Sequence, residues 1–82
     1  QGQQGQSGAA VTGQEAQSIA LAHAGVTAGE AGMIQVERDR DDGREIYEVE
    51  FEVRQGSAAG EYDYKIDAAT GAILEFDRDT DD

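Results

Sequence analysis

The sequence has no cysteine, so no disulfide can brace the fold and no thiolate can serve a metal or a substrate. That absence suits an exported domain and a cytosolic one equally. Proline and tryptophan are missing too, which leaves Ile, Val, Leu, Phe and Tyr to build the core. Basic residues are scarce: 6 Lys plus Arg stand against 18 Asp plus Glu, a formal net charge of −12. Such a surface repels nucleic acid and anionic lipid and favours solubility, cationic partners and loosely held divalent cations. No apolar run approaches the roughly 20 residues of a membrane span. With 82 residues there is room for one small domain, stabilised by a single compact core. The opening Gln, in place of Met, leads us to expect a fragment, a processed product or a tagged chain, with any signal peptide or anchor upstream.

What is present is alternation. In Arg44–Arg54, Tyr47, Val49, Phe51 and Val53 point one way and Glu48, Glu50 and Glu52 the other, the pattern of a half-buried strand. Before it, residues 1–11 are Gln/Gly-rich and almost without apolar groups, which predicts a flexible linker or leader. Thr12-Gly13-Gln14-Glu15 spells a capping box and starts a helix over about Gly13 to Ala24, with a stripe of Ala16, Ile19, Ala20 and His23. Gly25 supplies its left-handed end. Thr27 to Gly32 reads as a turn or loop, and Met33 to Asp39 as a strand with Ile34 and Val36 inward. Asp42-Gly43 within Arg40–Gly43 marks a hairpin. Glu61 to Asp67 is a third strand with Tyr62, Tyr64 and Ile66 inward. Ala72 to Arg78 is a fourth, with Leu74 and Phe76 inward and Ile73, Glu75 and Asp77 outward. Residues 79–82 form an acidic tail.

The expected fold is α+β: one N-terminal amphipathic helix on a four-stranded antiparallel meander. The register that keeps every inward row apolar pairs Val53 with Tyr62, Phe51 with Tyr64 and Ile34 with Val49, and a bulge at Gly71 sets Ile66 beside Leu74. It places Glu52 against Asp63, Glu48 against Asp67, and Glu50 beside Lys65.

No catalytic set assembles. His23 is the sole histidine and sits near a helix end, where a positive charge is favoured. Ser18 and Ser57 have no cue toward it. A zinc site wants three or four ligands, and no His or Cys partner exists. The acids of Asp39–Gly43 do not fall at calcium-loop positions, so no cofactor is expected beyond weak calcium bridging. Two candidate surfaces remain. One is the hairpin and sheet edge around Arg38, Arg40, Asp41 and Asp42, where an extended chain could add as a strand, with Asp77 and Arg78 guarding the other edge. The other is an acidic face of Glu48, Glu50, Glu52 and Asp63, which reads first as a solvated face that resists aggregation and second as a binding surface. Tyr47, Tyr62 and Tyr64 are expected in the core with their hydroxyls in water.

Taken together, Ala16-Gln17-Ser18-Ile19-Ala20-Leu21-Ala22-His23-Ala24-Gly25, Asp42-Gly43-Arg44-Glu45-Ile46-Tyr47-Glu48-Val49-Glu50-Phe51 and Tyr62-Asp63-Tyr64-Lys65-Ile66-Asp67-Ala68-Ala69-Thr70-Gly71 resemble the PepSY domain family over about Thr12 to Asp77. The resemblance implies a non-catalytic extracytoplasmic module, secreted or at the cell envelope, that inhibits or modulates a protease or binds another envelope protein. With the acidic composition and the lack of a long apolar run, the expectation is a monomeric domain over 12–78 with no nucleic-acid partner and no direct membrane insertion. The alternative is an acidic spacer domain without a specific ligand.

Overall fold

The computed structural model describes residues 10–80. Most of the Gln/Gly leader (1–9) and the last two residues of the acidic tail (81–82) lie outside the described residues. The order is α1 (Gly13–Ala24), β1 (Ala31–Asp41), β2 (Arg44–Val53), β3 (Gly60–Asp67) and β4 (Ile73–Asp79). The strands form one antiparallel sheet in the order β1-β2-β3-β4. This is the α+β meander the alternation predicts, with β1 running two residues further at each end than expected and β4 starting and ending one residue later.

The helix starts where its cap can hold it. Glu15 N donates to Thr12 Oγ1 at 3.1 Å and Thr12 N to Glu15 Oε1 at 2.8 Å, so two otherwise orphaned amides are satisfied. It stops at Gly25, whose φ of 78° few other residues tolerate. Gly25 N bonds Ala22 O and Val26 N bonds Leu21 O, the double closure that brings the residue after the cap back against the last turn. Leu21 and Val26 are therefore buried in the core with Ala16 and Ala20, although neither belongs to the predicted stripe.

The helix lies over β1 and β2. Beneath it are Tyr47, Val49, Phe51 and Val53 of β2 and Tyr62, Tyr64 and Ile66 of β3, all buried. Phe51, Tyr62 and Tyr64 stack, with the Phe51 ring 4.9 Å from that of Tyr62. Such pairs add about 0.5–1.5 kcal/mol beyond their buried area.

The register differs from the expected one by two residues. Phe51 pairs with Tyr62, Val49 with Tyr64 and Tyr47 with Ile66. On the other side Val36 pairs with Val49. The predicted pairs Val53–Tyr62, Phe51–Tyr64 and Ile34–Val49 are corrected accordingly. The physical reason is that a shift of two keeps every side chain on its own face, so burial cannot distinguish the two arrangements. For β1 against β2 the hairpin turn does: Asp42 and Gly43 have φ of 56° and 76°, and Asp41 pairs with Arg44. Asp42-Gly43 is thus the whole two-residue loop, a twist-matched turn with both central residues left-handed. Between β2 and β3, Val53 pairs with Gly60, so Glu52 faces Glu61, Glu48 faces Lys65 and Glu50 faces Asp63.

Two bulges change individual residues. In β1 the register shifts between Gly32 and Gln35, with Met33 at φ 52° and 70% exposed. Between β3 and β4 it shifts at Ile66, which pairs with Ile73, not Leu74. Ile73 packs against the core, while Leu74, predicted inward, is 39% exposed on the opposite face beside Ile46 and Lys65. The extra residue there reverses the facing of everything before Glu75.

The turn between β3 and β4 is stitched from inside. Asp67 Oδ1 accepts from Ala69 N at 2.7 Å and Thr70 N at 3.2 Å, while Ala68 N bonds Glu45 O and Ala68 O accepts from Val11 N. This ties the Ile66–Gly71 stretch to β2 and to the entry of α1.

Candidate functional site

Arg38, Arg40, Asp41 and Asp42 share the hairpin but are divided between its two faces. On the helix side Arg38 Nη2 lies 2.7 Å from Glu45 Oε1 and Arg40 Nη2 lies 2.6 Å from Glu45 Oε2. The two guanidiniums, Arg40 foremost, hold the Glu45 carboxyl below its ordinary value. Arg38 also lies over the Tyr47 ring, 5.3 Å from its centre. On the other side Asp41 reaches Lys65 Nζ at 3.4 Å, and Asp42 forms the turn. Both arginines of the predicted edge are thus already engaged by Glu45, a residue that strand alternation does not single out.

Glu48, Glu50, Glu52 and Asp63 do come together, all on the face away from the helix. The observed register sets them in rows across the strands. Glu50, Asp63 and Asp77 are level with one another, and Glu52, Glu61 and Asp79 form the next row. Each row holds three carboxylates and no base. Like charges directly opposite cost up to about 1 kcal/mol per pair. The third row, Glu48, Lys65 and Glu75, contains a lysine, with Lys65 Nζ 3.7 Å from Glu75. Asp41 and Glu75 together raise the Lys65 ammonium above its usual range. Burial, followed by the charge of Asp39, pushes the Glu48 carboxyl up. Met33, turned outward by its bulge, lies beside the carboxylate rows. Among the described residues no group of three or more His, Asp or Glu side chains is arranged to hold a metal ion.

The remaining surface is the free edge of β4. Phe76 is on the helix side, yet 45% exposed, because one helix lying over β1 and β2 cannot also cover the fourth strand. Its ring stacks on Tyr64 at 4.8 Å and meets the His23 ring edge-on at 4.9 Å. His23 Nδ1 is 3.0 Å from the Tyr64 hydroxyl, which burial pushes up to about 12. The helix-end placement read from sequence holds, but the aromatic contacts of His23 cross 41 positions of chain to Tyr64 and more to Phe76, and leave no local signal. Arg78, the base on this strand, also turns to the helix side. Its guanidinium lies over Tyr62, and Nη2 donates to Ser57 O and Ala59 O, each at 2.9 Å.

No helix among the described residues is long and apolar enough to cross a membrane. Residues 10–77 match the family described as PepSY, peptidase propeptide and YPEB domain. An uncharacterized protein of Streptococcus pyogenes serotype M6, Spy1430, is 44% identical over 61 residues, which cover 74% of this chain and 44% of that protein. The chain therefore spans less than half the length of the curated relative it matches. No solved structure matches.

Proposed function

The chain belongs to the PepSY family, and from that premise we propose that it is a non-catalytic extracytoplasmic module that modulates a peptidase. It acts by holding an extended segment of its partner along β4. The observation that carries this reading is the state of β4 itself: a sheet edge pairing regularly from Glu75 to Asp79, touched by the helix through His23 yet left with an open aromatic ring at its centre. Strand addition suits such an edge, since main-chain bonds supply affinity and alternate side chains supply selectivity. The family's description as a peptidase propeptide domain supports a peptidase as the partner.

The test is inhibition. Stoichiometric chain should slow a metallopeptidase secreted by the same cell, and Phe76→Lys should abolish the effect while thermal unfolding stays cooperative. Unchanged peptidase rates across a panel of co-secreted enzymes would overturn the proposal and leave the spacer reading.

A further inference from the structure

We propose that the segment received by β4 alternates in chemistry, with apolar side chains toward the helix and Lys or Arg side chains toward the opposite face. This deepens the reading of β4 as a partner edge and rests on it. A strand added to β4 lies about 4.8 Å away, and its side chains stand level with those of β4, on alternate sides. On the helix side they meet Phe76, whose exposed ring already contacts His23 and Tyr64, and Arg78, whose guanidinium is folded back over Tyr62. On the other side they meet Glu75, Asp77 and Asp79. Asp77 and Asp79 each end a row of carboxylates that lacks a base, and among the described residues neither takes part in an ion pair. Arg78 cannot offset them, because its guanidinium is held on the helix side by the Ser57 and Ala59 carbonyls. Cations on an added strand would therefore extend each row with the missing sign and relieve the repulsion inside it.

The same geometry selects against other occupants and the other edge. A second copy pairing antiparallel through β4, centred on Asp77, would set Asp77 against Asp77 and Glu75 against Asp79. It would also bring two chains of net charge −12 together. β1 is the poorer edge for this segment, since its helix side carries Arg38 and Arg40, both paired with Glu45, where β4 carries an open aromatic ring.

A fluorescently labelled peptide Lys-Val-Lys-Phe-Lys-Val-Lys tests this by polarisation titration and by amide shifts in a nitrogen-15 spectrum of the full chain. It should bind, with the largest shifts from Glu75 to Asp79, and bind at least about tenfold more tightly than a scramble that breaks the alternation, a difference of about 1.4 kcal/mol. The double variant D77K/D79K should lose about tenfold, whereas E37K/E48K, an equal change in net charge away from β4, should lose little. Equal binding of the scramble, equal loss in both double variants, or shifts centred on β1 would each overturn the inference. Peptide binding without any effect on a peptidase upholds it and removes the peptidase reading. Peptidase inhibition without peptide binding overturns it and spares that reading.

Discussion

All three tyrosine hydroxyls have a partner. Tyr62 donates to the Ala58 carbonyl, Tyr64 meets His23 Nδ1, and Arg38 approaches Tyr47 at 3.5 Å. Alternation places the rings in the core correctly but says nothing about loop carbonyls or a helix-borne imidazole, which is why the Tyr62 and Tyr64 hydroxyls, expected in water, are held inside. The same holds for Glu48: its outward facing is legible, its raised pKa is not, because that depends on burial and on Asp39 from the neighbouring strand. A raised pKa means that ionising Glu48 is harder in the fold than in the unfolded chain. Its contribution to stability is full below the unfolded value, 4.5, and fades as pH climbs through the higher folded value. Glu48→Gln should therefore be the more stable protein at about pH 7, by about 0.5 kcal/mol or less, with the gain gone at about pH 4. Urea unfolding at both pH values measures it, and a gain that persists in acid would contradict the assignment.

At the scale of elements, boundaries were more legible than pairing. Helix limits follow from Thr12, Glu15 and Gly25, each a residue with a defined capping task. The expected strand pairing is off by two because inward-facing Val49, Phe51 and Tyr64 satisfy either register; the Asp42-Gly43 turn fixes β1 against β2, and the connection between Val53 and Gly60 fixes β2 against β3. The β1 bulge was invisible for a related reason. Met33 is not a residue that announces a left-handed conformation, and Asn or Gly would have. Met33 pays for that conformation without gaining burial, so Met33→Asn should stabilise the fold by up to about 1 kcal/mol. A loss in the thermal midpoint would mean that the thioether makes a contact worth more than the strain.

For the whole molecule, charge dominates. The five facing acid pairs, Glu37–Glu48, Glu50–Asp63, Asp63–Asp77, Glu52–Glu61 and Glu61–Asp79, all oppose folding. Screening should relieve them: raising sodium chloride from about 50 to about 500 mM shortens the Debye length severalfold and should add about 1–3 kcal/mol of stability. A midpoint that is flat or falls with salt would show that attractive pairs outweigh them. The acidity was legible from composition, but its arrangement in unbroken rows was not, since it depends on the two-residue register. The family was legible because its motifs are the strand and turn segments themselves.

One consequence concerns oxidation. Met33 is the only methionine in a chain without cysteine, so its thioether is the protein's sole sulfur. It is largely bare to solvent and outside the core. Peroxide would convert it to the sulfoxide with nothing apolar to disrupt, leaving a polar, chiral group on the acidic face and an intact sheet beneath it.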